Sequence, residues 1–227
     1  MLPKVIHRIW IGGREPAWLA EYGRTWAEHH PHWEITQWDD TTIEGLFPLE
    51  NQDTWDIAAQ LVDAGHLPQL RADLLRYTIL WRFGGLYIDA DFKAIRPIDP
   101  LIEGLDSVSA FEIQDTWAVN GFLGATAGHR FIRRLIDGIP HSVDQHRGEA
   151  PTRITGPQYL TGIWRQHPDE LTVLDQKHLF PYQPSAADVK AFPVDYHFDP
   201  DDWPDLYAVH AWRNRRRKMG ALRYLEP

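Results

Sequence analysis

The sequence contains no cysteine in its 227 residues. Disulfides, thiolate metal sites and a cysteine nucleophile are therefore excluded, and a reducing compartment such as the cytoplasm suits the chain. Positive charge is in deficit: Lys and Arg number 23 against 32 Asp and Glu, a net charge of −9. A general affinity for nucleic acid needs a basic face, so none is expected. Long hydrophobic runs are missing as well, since no stretch approaches the roughly 18 apolar residues that span a bilayer. The opening Met1-Leu2-Pro3-Lys4-Val5-Ile6-His7-Arg8-Ile9-Trp10 lacks the apolar segment and small-residue cleavage site of a signal peptide. These absences predict a soluble, unprocessed, cytoplasmic protein.

What is present is ordinary for a globular protein, with 43% hydrophobic and 24% charged residues. The length fits one α/β domain. Eleven tryptophans are many for this length, and rings at cleft edges suit sugars and nucleobases. A basic run, Arg213 and Arg215 to Lys218, stands near the C-terminus. It has three readings: a solvated helix face, help in holding a diphosphate, or peripheral contact with anionic lipid at the inner face of a membrane.

Residues 4–11 are rich in β-branched side chains and end at Gly12-Gly13, which predicts a first strand and a tight turn. A helix is expected over 15–29 and a second strand over 33–38. The strongest helical pattern runs from 68 to 83, with Leu70, Leu74, Tyr77, Leu80 and Trp81 at helical spacing and Gly84-Gly85 at the expected end. A short strand, 86–89, follows at once. Strands near 107–112 and 116–120, helices at 129–138 and 156–166, and a last strand at 206–210 complete the pattern. Residues 139–151 and 181–205 read as long loops, which in compact domains often act as lids. Strands alternating with helices predict a mostly parallel sheet.

The chemistry centres on Asp89 and Asp91. Two residues apart at a strand end, they point to the same side, and ligands of open α/β sheets sit at the carboxyl ends of strands. Paired carboxylates repel unless a cation lies between them, and hard divalent ions with diphosphate oxygens suit such ligands. Alone, a D-x-D is also what two solvated loop acids look like. The preceding helix sharpens the choice. Asp73 and Arg76, three apart, share one face of an otherwise apolar helix, and a buried charged pair requires polar partners.

The stretch from Arg71 through Asp73, Arg76, Gly84-Gly85, Tyr87 and Asp89 to Asp91 resembles the DXD sugar-binding region of glycosyltransferase family 32. It is also similar to the catalytic domain of the large clostridial glucosylating toxins. Ile6-His7-Arg8-Ile9-Trp10 resembles the family's first strand, and Trp10-Ile11-Gly12-Gly13 the toxin form of it. The likeness is strong over 3–100 and thinner at Asn120-Gly121, Thr155-Gly156-Pro157 and His210-Ala211-Trp212. It implies a single Rossmann-like GT-A domain, with residues 1–105 as the nucleotide-sugar half and 106–227 as the acceptor half. It also implies a retaining transfer of a hexosyl group to a glycan, lipid-linked or protein acceptor, with Mn²⁺ or Mg²⁺.

Carried over by residue, the resemblance places Ile9 and Trp10 at the donor, the indole of Trp10 on the nucleobase. Asp73 and Arg76 would hold the donor sugar, Tyr87 would line the cleft, and Asp89 would touch ribose, sugar or metal. Asp91 would bind the metal, with His210 as a further ligand. Asn120 and Trp212 would reach the donor. Asp89, Asp91, Asp73 and Arg76 form the catalytic set. Glu112 and Asp115 are acids in a plausible region, and the sequence assigns neither as a nucleophile. The Trp-Ile-Gly-Gly form leans to a UDP-sugar, with GDP-mannose as the alternative. A phosphatase with Asp89 as nucleophile is disfavoured, because Lys93 stands where such enzymes carry Thr or Val. A non-catalytic nucleotide-sugar binder is disfavoured by the four intact charges.

Overall fold

A computed structural model of the chain describes residues 1–182, 185–193, 195–213 and 216. The strands are β1 (Val5–Ile9), β2 (Glu34–Trp38), β3 (Gly85–Ile88), β4 (Phe92–Ala94), β5 (Ser107–Ile113), β6 (Trp117–Ala125), β7 (Thr172–Leu174) and β8 (Ala208–His210). The helices are α1 (Ala17–His29), α2 (Gln52–Asp56), α3 (Ala58–Leu61), α4 (Leu67–Phe83), α5 (Asp99–Ile102), α6 (Arg130–His146), α7 (Pro151–Ile154), α8 (Pro157–Gln166) and α9 (Ala186–Ala191).

Six strands form one sheet in the order β2-β1-β3-β6-β5-β7, and β4 pairs with β8 in a separate ribbon. The β1–β2, β1–β3 and β5–β7 pairings are parallel, while β3–β6 and β5–β6 are antiparallel. The mostly parallel expectation is met. The antiparallel part arises because β5 and β6 are joined by a tight hairpin, which only antiparallel neighbours permit; Asp115 in it adopts φ 58°. As a result the C-terminal ends of β1, β3, β5 and β7 and the start of β6 share one edge of the sheet.

Both faces of the sheet are covered. Along β1, Ile6 joins a cluster with Trp26, Leu86, Ile88, Phe92 and Phe122, whereas Ile9 joins Leu74, Tyr77, Tyr87 and Leu123 on the other side. This is the period-two alternation of a strand with two buried faces. Helix α4 lies on the second face and is buried from Leu70 to Leu80 apart from residues 71 and 72. It ends at Gly84 with φ 65°, followed by Gly85 with φ 100°. A Cβ on Gly85 would meet the Val5 carbonyl at 2.6 Å, so glycine is what lets the chain turn sharply from α4 into β3 against β1.

Two expected loops are partly helical. Residues 139–151 contain the end of α6 and the start of α7, because the apolar stripe Ile132-Leu135-Ile136-Ile139-Val143 continues past Pro140. Proline offers no N–H to the carbonyl four residues back; that carbonyl, on Ile136, accepts instead from Asn51 Nδ2 at 3.2 Å. Within 181–205, α9 starts at a Ser185 cap that accepts from the Asp188 N–H at 3.1 Å.

Candidate functional site

Strand β3 ends at Ile88, and Asp89-Ala90-Asp91 form the turn into β4. The turn is pinned at both ends. The Asp89 N–H donates to the Gly121 carbonyl at 2.7 Å, and the Ala211 N–H donates to the Asp91 carbonyl at 2.9 Å. The β4–β8 register sets His210 opposite Phe92, one residue beyond Asp91. Backbone pairing therefore carries the histidine from the far end of the chain to the two acids.

His210 Nε2 lies 3.1 Å from Asp91 Oδ1 and 3.9 Å from Asp89 Oδ2. One ligand atom from each of the three residues falls within 4.8 Å of the others. The remaining carboxylate oxygens are occupied: Asp91 Oδ2 accepts the Arg213 N–H at 3.0 Å, and Asp89 Oδ1 accepts the Tyr87 hydroxyl at 2.8 Å. An N,O,O set with one free atom per residue fits a divalent cation of the Mn²⁺ or Mg²⁺ kind. Burial works against a charge on His210, yet Asp91 and Asp89 override it and raise its pKa to about 10. A proton thus stands where the acids favour a cation.

Behind the turn, Arg76 reaches down from α4. Its Nη2 lies 3.1 Å from Asp73 Oδ1 and 3.3 Å from Asp89 Oδ1, and its guanidinium covers the Tyr87 ring at 4.3 Å. Its Nε and Nη1 are buried without a partner. Burial alone would lower the pKa of Arg76, but Tyr87, Asp73 and Asp89 raise it. Asp89 is also penalised by burial, and Arg76 and His210 still hold it at about 2. Asp73 stands differently. It is 2% exposed; Asn120 Nδ2 donates to its Oδ1 at 2.8 Å and the Thr155 hydroxyl to its Oδ2 at 2.7 Å. Burial outweighs these partners and Arg76, and lifts its pKa to about 6.

The structure therefore brings together Asp73, Arg76, Tyr87, Asp89, Asp91, Asn120 and His210. Asp73 and Asn120 sit beneath the site with their polar atoms directed at each other, and Ile9 is 5% exposed in the core. Trp10 lies at the end of β1, its ring edge-on to Trp18 at 5.4 Å, and Trp18 carries the Arg213 guanidinium at 4.5 Å. Trp212 stands 4.4 Å from the His210 ring, ring centre to ring centre, with φ 54°. Of the basic run, Arg213 and Arg216 are 8% and 2% exposed, so a solvated helix face does not describe these two. Residues 214, 215, 217 and 218 lie outside the described residues.

Two contributors receive no role from the sequence. Arg8, 4% exposed, donates through Nη2 to the Ala90 carbonyl at 2.9 Å and the Leu19 carbonyl at 3.0 Å, holding the middle of the Asp89–Asp91 turn. Gly121 lies so close to Asp89 that a Cβ there would meet Oδ2 at 2.5 Å. Both act across long sequence separations.

A six-stranded α/β sheet with an Asp-x-Asp turn on its carboxyl edge is the architecture of GT-A glycosyltransferases. Structures similar to this chain share that fold. PaToxG glycosyltransferase superposes with a TM-score of 0.60 at 16% identity, covering 74% of this chain and 70% of that one. Galactosyltransferase LgtC, solved with donor and acceptor sugar analogs, gives 0.54 at 14% identity over 96% and 95%. The UDP-bound glycosyltransferase domain of the YGT toxin gives 0.52 at 11% over 76% and 79%.

Residues 16–107 match the family described as glycosyltransferase sugar-binding region containing DXD motif. Inositol phosphoceramide mannosyltransferase 3 of Schizosaccharomyces pombe is 27% identical over 74% of this chain and 47% of its own length. Mannosyl phosphorylinositol ceramide synthase CSH1 of Saccharomyces cerevisiae is 26% identical over 74% and 43%. Lactosylceramide 4-alpha-galactosyltransferase of Rattus norvegicus is 28% identical over 66% and 38%. The chain spans less than half the length of these three relatives. No helix among the described residues is long and apolar enough to cross a membrane.

Proposed function

We propose that the chain is a metal-dependent glycosyltransferase that moves a hexosyl group from a nucleotide-sugar to a hydroxyl acceptor with retention of configuration. The observation that carries this reading is the Asp89, Asp91 and His210 cluster beside the unpartnered Nε and Nη1 of Arg76. The cluster fits a divalent cation, which when bound would neutralise the negative charge growing on a departing diphosphate. Arg76 fits the hydroxyls or phosphate edge of the donor, as a preorganised cation in a buried setting. Tyr87 and Asp73 keep Arg76 charged and aimed, and Asn120 and Thr155 keep Asp73 in place. Trp10 and Trp212 offer rings for the base and for closing over the donor.

Retention rests on the family resemblance, and the way the acids are used bears on its route. Asp73 is saturated by Arg76, Asn120 and Thr155, and Asp89 and Asp91 each have one oxygen engaged and the other turned to the cluster. None of these three is left as a free attacking carboxylate, which fits a retaining transfer in which the departing phosphate takes the acceptor proton on the same face of the sugar. A peripheral position at a membrane belongs to the same proposal, supported by relatives whose names give ceramide-linked substrates.

The donor has two readings. The Trp10-Ile11-Gly12-Gly13 turn favours UDP, whereas the names of two relatives give mannosyl transfer and so favour GDP-mannose. Calorimetric titration with UDP-glucose, UDP-galactose, UDP-GlcNAc and GDP-mannose, with Mn²⁺ and with EDTA, separates them. Binding of one donor only with Mn²⁺ is the expected result. Binding of none, to folded protein with metal present, points to an inactive relative or to a donor outside these four.

A further inference from the structure

A second depression lies on the same sheet edge as the Asp89–Asp91 turn. It is a groove of about 390 Å³ where the end of β7 meets the 202–206 segment, bordered by Gln114, Gln176, Lys177, Asp202, Trp203 and Asp205. The Phe180 ring belongs to its wall and also lies 5.9 Å from His210 and 5.8 Å from Trp212, ring centre to ring centre. One aromatic layer therefore separates the groove from the candidate metal cluster.

The groove is built rather than incidental. Arg96 ties its rim through the carbonyls of Pro200, Trp203 and Pro204, at 2.8, 3.0 and 2.9 Å. Gln114 and Gln176 lock the other side, each side chain accepting the other's backbone N–H at 2.9 and 3.1 Å. Tyr207 N–H donates to the His178 carbonyl at 2.9 Å, and His178 Nδ1 donates to the Asp205 carbonyl at 2.8 Å, strapping the two segments together.

Its position along the sheet says what it takes. From β2 to β7, the strand ends carry Trp10 beside β1, the Asp89 turn after β3, Asn120 and Gly121 in β6, and the groove beyond β5 and β7. The order runs from base to metal to donor sugar, and the groove comes next. From the β3–β6 boundary to the β5–β7 boundary is two strand spacings, about 10 Å, more than one pyranose ring. Its chemistry is that of a hydroxyl binder through Asp202 and Trp203 on one rim, while the Gln114 and Gln176 amides opposite are taken up by Asp115, Phe180 and each other's backbone and shape the wall. The acids Asp175, Asp202 and Asp205 outnumber its one cation, Lys177, which is already paired to Asp205 at 3.0 Å. That excludes a phosphate and favours an uncharged polyol.

We propose that this groove holds the second sugar of an uncharged glycan acceptor, so that the enzyme extends chains of at least two units and not single sugars. The inference rests on the transferase reading above. Its test uses the donor that binds with Mn²⁺ and methyl glycosides of mono- and disaccharides of glucose, galactose and mannose, read as acceptor-dependent release of nucleoside diphosphate. A preferred disaccharide is expected to exceed its monosaccharide by about tenfold in kcat/KM. Asp202→Ala and Trp203→Phe each reduce that ratio to about two, with donor Kd and the monosaccharide rate unchanged. Trp203→Phe keeps an aromatic ring against Phe192 and Phe198, so the fold is retained. Equal use of mono- and disaccharides overturns the inference, as does use of neither while donor binds, or an equal loss on both in the variants. Loss of donor binding itself points instead to failure of the transferase reading.

Discussion

Asp89 and Asp91 stand out in the sequence because two acids alternate at a strand end after a Gly-Gly turn, and Arg76 stands out as a charge inside an apolar helix. Gly121 does not, since its role is to be small beside an oxygen supplied from another strand. Gly121→Ala places a methyl 2.5 Å from Asp89 Oδ2, so the carboxylate must move. Mn²⁺ affinity should fall about 10- to 100-fold, the scale of disturbed support around a metal ligand, while the circular dichroism spectrum stays native. Unchanged Mn²⁺ affinity would remove Asp89 Oδ2 from the proposed ligand set. Trp10 is legible as an aromatic after the first strand, and its ring is held edge-on to Trp18. If it stacks on the base, Trp10→Ala should weaken donor binding by about 1–3 kcal/mol, measured by calorimetry. Equal donor affinity would place the base elsewhere.

At the scale of elements, the strands and helices that frame the site follow from periodicity, and β1, α4 and β3 fall within a residue or two of the expected bounds. The departures have local causes. Pro140 reads as a helix breaker, but α6 continues through it because its apolar stripe does and Asn51 takes up the freed Ile136 carbonyl. The basic run carries three readings in the sequence, a solvated face, a diphosphate holder or a lipid contact, yet Arg216 is a clamp. Its Nε donates to the Ala211 carbonyl at 2.6 Å and its Nη2 to the Tyr182 hydroxyl and Phe192 carbonyl at 2.8 and 2.6 Å. Arg216→Ala removes these bonds beside the cluster of Tyr182, Phe198, Leu206 and Val209. A loss of about 2–3 kcal/mol is expected from charged hydrogen bonds in a buried place, read from urea denaturation. A loss below about 0.5 kcal/mol would show that the clamp carries no stability.

For the whole molecule, two buried histidines join separate elements and both must be neutral. His7 Nδ1 accepts from Trp38 Nε1 at 3.2 Å while Nε2 donates to the Gly84 carbonyl, tying β1 to β2 and the end of α4. His30 Nε2 accepts the Ile98 N–H at 2.9 Å while Nδ1 donates to the Trp26 carbonyl. Burial lowers the pKa of each below 6.5. Below pH 6.5 the unfolded chain therefore takes up protons that the native one resists, and stability falls as pH drops through that value. Asp73, lifted to about 6 by burial, gains stability by protonation over the same range, so one ring is isolated by comparison. From about pH 6.5 to 5, with metal absent, His30→Gln should lose less melting temperature than the wild-type protein, and an equal loss would mean that the ring titrates freely.

Residues 1–105 are the more legible part of the chain, because Asp73, Arg76, Asp89 and Asp91 lie close together in sequence. Residues 106–227 contribute through pairings 80 or more residues apart, such as Thr155 with Asp73 and His210 with Asp91, where only the family resemblance pointed to His210. The central claim concerns that convergence on Asp91. Titrating the preferred nucleotide-sugar into the wild-type protein and Asp91→Asn, each with Mn²⁺ and with EDTA, tests it directly. Metal-dependent binding that Asp91→Asn abolishes in a protein of native spectrum and melting behaviour is the predicted result. Equal, metal-dependent donor binding by both proteins would contradict the account.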